Sequence, residues 1–261
     1  MNHSDMLQIT LVQPDILWED ISGNLSQYDQ LLAGLTTDIV LLPGTFSTGF
    51  TMNASSVAES MNGRTVQWMA DKARLLNGVV AGSLIIEENN HYYNRFVWMQ
   101  PDGNYFSYDK RHLFRMGGEQ EVYTPGNQQL RIAYKGWQIM PLVCYDLRFP
   151  VWSRQIPQNP YDLLLYVANW PQARNYPWTQ LLRARAIENL AYVAGVNRVG
   201  ADGSGVYHSG DSALLNYKGE EIWTQSDAVV VSTQSISLTD LRHFRQQFPA
   251  HLDADGFSLT L

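Results

Sequence analysis

Only one cysteine, Cys144, occurs in the 261 residues. No intramolecular disulfide can form, and no multi-cysteine metal site can be built. The sequence has no HExxH pair and no GxGxxG turn after a strand, which leaves zinc-protease and dinucleotide-binding readings without support. No apolar run approaches the roughly 18 residues that span a bilayer. Residues Met1 to Asp5 are polar and lead straight into a strand pattern, so no signal peptide is expected and a cytoplasmic location is the default. Charged residues are also scarce, at 16%, and the formal net charge is -7. A nucleic-acid partner calls for a basic stripe. Arg183 and Arg185 are the nearest approach to one, and Glu188 balances them within a helical pattern.

What the chain does have is apolar bulk. Hydrophobic residues make up 45%, with 8 Trp and 14 Tyr. That supports a large core and a single domain over 1–261. Leu7, Ile9 and Leu11 alternate with polar residues as in a strand. Residues 24–35 show helical spacing, with Asn24 as a candidate N-cap. The run 38–43 reads as a buried strand closed by Pro43-Gly44. Residues 66–76 give a second amphipathic helix. Strand-like runs follow at 78–86, 92–99 and 104–108, then a hairpin over 130–134 and 137–143, then 162–168. The longest helix is expected over 178–191. Strands near 192–198, 211–217 and 228–234 precede a last helix at 239–246. The tail 247–261 reads as mostly irregular. No repeat or linker divides the chain. The pattern is α/β or mixed α+β with mostly buried strands.

The segment Ile139 to Pro150, IMPLVCYDLRFP, carries the strongest chemical signal. A buried apolar strand runs directly into Cys144, and polar residues begin at once after it. A nucleophile on a sharp strand-to-helix turn is exposed while its backbone stays rigid. Neighbouring N–H groups can then stabilise an oxyanion. The alternative is an inert buried cysteine packed as a small hydrophobe. A second segment, Tyr108 to Phe114, places Lys110 just after a short strand. A fixed cation beside a thiolate stabilises the charge that develops on a carbonyl oxygen. The alternative is a solvated basic loop.

Six stretches together resemble the nitrilase family of carbon–nitrogen hydrolases, and within it the bacterial ω-amidases of 2-oxoacid ω-amides. They are DIVLLPGTFSTGF (38–50), YDKRHLFRM (108–116), YTPGN (123–127), PLVCYDLRFPVWSR (141–154), YDLLLYVANWP (161–171) and LLRARAIENLAYVAGVNRVG (181–200). The resemblance covers nearly the whole chain. It implies an α-β-β-α sandwich of two mixed sheets with helices on the outer faces. It also implies a Glu-Lys-Cys triad. Cys144 and Lys110 match two members, and Glu119 matches a supporting acid that positions substrate or lysine. A surface-loop acid is the alternative for Glu119.

The third member is missing. Where the family carries its general-base glutamate, after the LLP of the second strand, this chain has Gly44, followed by Thr45. Three accounts stay open. Glu119 or a water substitutes in a slow enzyme, the scaffold is a catalytically silent ligand-binding protein, or a glutamate has been replaced in an otherwise intact amidase.

The resemblance further implies a small amide substrate such as 2-oxoglutaramate, opened through a Cys144 thioester. The N–H of Tyr145 and the Lys110 ammonium would form the oxyanion hole. No metal or organic cofactor is required. An anionic substrate head needs an arginine clamp, and either Arg148 or Arg174 can supply it. Trp170, Tyr145, Phe50 and Phe114 are candidate pocket walls. A homodimer is expected by resemblance, and Leu259 and Leu261 fit docking onto a partner. The stretch Gly203-Ser204-Gly205 lacks the GxSxG spacing of a serine nucleophile and reads as a loop.

Overall fold

Ile39, Val40, Leu41 and Leu42 are all fully buried, yet they face two different cores. Ile39 and Leu41 join a core between two sheets, whereas Val40 and Leu42 join one beneath helices. Successive side chains of a strand point to opposite faces. A short continuous apolar run therefore marks a strand covered on both sides. The structure, a computed structural model, describes residues 5–156 and 159–259. Leu261 lies outside them.

Thirteen strands are formed among the described residues. They are β1 (Met6–Gln13), β2 (Ile39–Leu41), β3 (Val79–Glu88), β4 (His91–Met99), β5 (Tyr105–Asp109), β6 (Ile132–Tyr134) and β7 (Trp137–Val143). Then come β8 (Leu163–Val167), β9 (Tyr192–Val196), β10 (Val199–Ala201), β11 (Tyr207–Leu215), β12 (Glu221–Ser226) and β13 (Val230–Ser237). The first sheet has the order β13-β1-β2-β3-β4-β5, with β1, β2 and β3 parallel. The second has the order β10-β11-β9-β8-β7-β6, with β12 paired to β11. In it β7, β8 and β9 run parallel.

The two sheets face each other across one core. Leu7, Ile9, Ile39 and Trp98 of the first meet Trp137, Ile139, Leu163 and Leu165 of the second. Helices Ile21–Leu31 and Arg64–Leu76 cover the outer face of the first sheet through Leu25, Tyr28, Val66 and Met69. Helix Asn175–Asn189 covers the second sheet. It approaches so closely that a Cβ on Gly195 would sit 2.7 Å from Leu182. The expected α-β-β-α sandwich of mixed sheets is borne out. Among the described residues no helix is long and apolar enough to cross a membrane.

Two local expectations need correction, and several short elements had no readable signal. Asp20, not Asn24, caps the first helix, accepting from the N–H of Gly23. Asn24 lies inside the helix, buried, where it bonds Leu17 twice and the carbonyl of Ser47. Tertiary partners have overridden its cap preference. The expected strand 211–217 begins earlier, at Tyr207, because β11 pairs with β10, β9 and β12 at once. Neither β10 nor β12 shows in the apolar pattern, since β12 is mostly exposed. Short helices at Ala54–Val57, Glu119–Val122 and Pro150–Ser153 also lie below the length at which periodicity is readable.

These bonds rank two substitutions. Asn24→Ala leaves buried partners unpaired and costs about 1–3 kcal/mol. Asp20→Ala loses an exposed cap and costs about 1 kcal/mol. Urea unfolding should place Asn24→Ala as the less stable. The reverse order contradicts the assignment.

Candidate active site

Parallel strands β2, β7 and β8 all end at the same edge of the sandwich, and crevices at such carboxyl ends are where α/β folds bind ligands. Cys144 follows β7 immediately, and Asn169 and Gly44 lie just past β8 and β2. Lys110 follows β5.

Cys144 takes a left-handed backbone, φ +46°. A residue with a Cβ holds that conformation only when its surroundings impose it, and such strain collects at functional sites. A short 3-10 helix, Cys144–Arg148, follows at the strand-to-helix turn. Its carbonyl at Leu147 accepts from the guanidinium of Arg185 at 2.6 Å, and Arg185 is itself buried on the long helix. The Sγ of Cys144 lies 3.7 Å from the carbonyl of Asn169.

Lys110 and Glu119 form an ion pair with 1% and 0% side-chain exposure. Nζ donates to both carboxylate oxygens, at 2.8 and 2.6 Å, and Glu119 also accepts from the N–H of Phe114. The surface-loop reading of Glu119 is excluded. Burial works against the Lys110 ammonium. Glu119 foremost, with Cys144 and Asp146, outweighs it and raises the lysine above its usual value. Cys144 behaves differently. Burial pushes its thiol up, the Lys110 cation pulls it down, and Glu119 and Asp146 add to the rise. The balance leaves it above the ordinary thiol range.

Gly44 is buried. Its N–H donates to Ala168, and its carbonyl accepts from the Asn169 side chain, which also bonds Thr45. Its φ is not left-handed, so an L side chain is allowed there. A Cβ would stand 3.2 Å from Ala168 backbone atoms, a fit needing a shift of a few tenths of an ångström. Three side chains near the cavity could stand in for a base: Glu119, Asp202 and His208. Both Glu119 oxygens are engaged. Asp202, on the cavity wall, spends one oxygen on the N–H groups of Ser204 and Val206. His208 also lines the wall, but burial, with Arg198 adding to it, brings it down to about 4.

A cavity of about 400 Å³ opens onto Cys144 and Lys110. Tyr145, Arg148, Trp170, Arg174, Phe114 and Phe50, the pocket candidates named from the sequence, all line it. The Arg148 guanidinium lies over Trp170 at 5.4 Å and that of Arg174 over Phe114 at 5.2 Å. Neither forms an ion pair among the described residues. Sequence reasoning missed the opposite wall, made by Trp18, Met52, Asn53 and the β10–β11 turn around Ser204. It also missed Asp146, which is fully buried and accepts from Tyr108, His112 and Val143. Among the described residues no group of three or more His, Cys, Asp or Glu side chains converges as a metal cage.

The sequence pattern described as carbon-nitrogen hydrolase matches residues 8–246. The chain belongs to that family. Among carbon–nitrogen hydrolases it is 46% identical to the omega-amidase YafV of Escherichia coli K12, over 97% of this chain and 98% of that one. It is 28% identical to a 2-oxoglutaramate amidase of Bacillus subtilis, over 94% and 96% of the two chains. Its fold matches XC1258 of Xanthomonas campestris with a TM-score of 0.96 at 45% identity, covering 98% and 99% of the chains. XC1258 is a CN-hydrolase superfamily protein whose crystal structure has an arsenic adduct in the active site.

The raised thiol makes a direct prediction. Cys144 is the sole cysteine, so iodoacetamide labelling followed by intact mass reports it alone. The rate should keep rising past the ordinary thiol pKa of about 8.5. A plateau reached near neutrality contradicts the assigned balance of charges.

Proposed function

We propose that this carbon–nitrogen hydrolase opens the terminal amide of a small 2-oxoacid amide, such as 2-oxoglutaramate, to the acid and ammonia. One observation carries the reading. A lone thiol on a left-handed elbow adjoins a buried Lys110–Glu119 pair, in a cavity bearing two guanidiniums that form no ion pair among the described residues.

The thiolate of Cys144 attacks the amide carbon, and the carbonyl π pair moves onto oxygen. Lys110 and the N–H of Tyr145 stabilise that oxyanion. The oxyanion collapses, the C–N bond breaks, and the nitrogen leaves as ammonia with a proton from solvent. Water then cleaves the thioester and regenerates the thiol. Glu119 holds Lys110 charged and in place. Arg148 and Arg174 meet the substrate carboxylate, a pairing that guanidinium geometry favours. Trp170, Phe114 and Tyr145 wall the carbon chain. With Gly44 in place of a base, solvent takes the thiol proton. No metal or organic cofactor enters these steps.

The names of the E. coli and B. subtilis relatives support an enzyme over a silent binding protein. A homodimer belongs to the same proposal. Exposed apolar side chains next to the elbow and in the tail support it, among them Val151, Phe248 and Leu252. A cytoplasmic location is proposed with it, in keeping with the single unpaired cysteine.

Ammonia release from 2-oxoglutaramate tests the reading. A positioned general base is worth about 10²–10⁴ in rate. Gly44→Glu should therefore raise kcat by that order and flatten the pH dependence, while Cys144→Ala abolishes release. A Gly44→Glu protein no faster than Cys144→Ala removes 2-oxoglutaramate as substrate.

A further inference from the structure

The carboxylate of Asp146 sits two residues after Cys144 and is completely buried. It makes four contacts, all to segments that carry the proposed chemistry. Oδ2 accepts from the N–H of Val143 at 3.0 Å, the residue immediately before the thiol. The same oxygen accepts from the Tyr108 hydroxyl at 2.7 Å. Oδ1 accepts from the N–H of His112 at 3.0 Å and lies 2.7 Å from His112 Nδ1. Tyr108 and His112 are two residues before and two residues after Lys110.

Further contacts hold this brace. The Tyr108 hydroxyl accepts from Trp152 Nε1 at 3.0 Å and from the N–H of Arg111 at 3.2 Å. The His112 ring stacks on Phe149 with centroids 3.8 Å apart and planes 6° from parallel. Phe149 and Trp152 belong to the chain just past the elbow. The lysine loop comes from the first sheet and the elbow from the second, so the brace crosses the interface between sheets.

We propose that Asp146 is a positioning residue, tying the segment 108–112 to the Cys144 elbow so that Lys110 stands against the thiol. It does not touch substrate. It acts through the placement of two groups that do, and this inference rests on the proposed roles of Cys144 and Lys110. The stiffness of the link follows from its make-up. A carboxylate receiving backbone and hydroxyl donors forms short, strong bonds, and in a dry interior no water competes for them.

A mere nearby charge and a positioning brace predict opposite results. The charged and titratable groups that act on Cys144 are Lys110, Glu119 and Asp146. Were Asp146 only a negative charge, Asp146→Asn would favour the thiolate and speed labelling of Cys144. As a brace, its loss lets Lys110 drift and slows labelling. Tyr108→Phe changes no charge and removes one arm of the brace, so it isolates placement from electrostatics. Tyr192→Phe is the matched control, losing a hydroxyl bond to Ser237 at 3.1 Å remote from the elbow.

The experiment is the pH profile of iodoacetamide labelling for the 261-residue chain and these three variants, with thermal unfolding run alongside. Labelling depends on no amide, so its outcome is separate from the choice of substrate. Tyr108→Phe and Asp146→Asn should each label several-fold more slowly at pH 8, with the midpoint moved to higher pH, and Tyr192→Phe should match the parent. In the Gly44→Glu background, Tyr108→Phe should lower kcat about tenfold with KM little changed, the mark of a lost transition-state interaction. Faster labelling in Asp146→Asn together with an unchanged Tyr108→Phe profile overturns the proposal. So does a Tyr108→Phe protein whose only change is a lower unfolding temperature. Should Asp146→Asn fail to fold, Tyr108→Phe alone decides.

Discussion

The buried pair of Lys110 and Glu119 is the constraint around which the site is arranged. Removing two charges from water is costly, and only close geometry with further hydrogen bonds offsets the loss. The chain meets that demand. Both carboxylate oxygens receive the ammonium, and one also receives the N–H of Phe114. The cation is therefore fixed at one place at all ordinary pH values. Everything nearby is set against it: the Cys144 elbow, the Phe50 ring 5.2 Å from Nζ, and the cavity mouth.

A fixed cation alone does not make a thiolate. Burial and the negative charges of Glu119 and Asp146 oppose Lys110, and Cys144 keeps its proton above the usual range. By the family resemblance a glutamate is expected to remove that proton, and Gly44 stands at the corresponding position. The backbone has not lost its order there. Gly44 is bonded on both sides, and Asn169 links it and Thr45 to the segment whose carbonyl faces Sγ. The backbone around the thiol is ordered, and in the proposed mechanism its proton passes to solvent.

Much of this was legible in the sequence, and the reasons differ by residue. The run Ile139–Val143 into Cys144 is readable because an apolar strand and a polar turn are local patterns. Lys110 and Glu119 are readable only through resemblance, since nothing local says that a lysine and a glutamate nine residues apart will be buried together. Asp146 was not readable as a brace. Its partners Tyr108 and His112 lie 38 and 34 residues away, and their meeting depends on the two sheets packing. The wall formed by Trp18 and Ser204 is hidden for the same reason. Asn24 shows the opposite failure, a true local preference defeated by Leu17 and Ser47. The α-β-β-α layering was anticipated by resemblance, while the order of strands and the short pieces β10 and β12 needed the fold itself.

The central claim is that the amide carbon becomes bonded to Cys144. Acid quenching during turnover of 2-oxoglutaramate, followed by intact and peptide mass analysis, tests it most directly. The account predicts an acyl adduct confined to the peptide bearing Cys144, removed by hydroxylamine and absent from Cys144→Ala. Ammonia release that continues in Cys144→Ala, with no adduct on the parent, would contradict it.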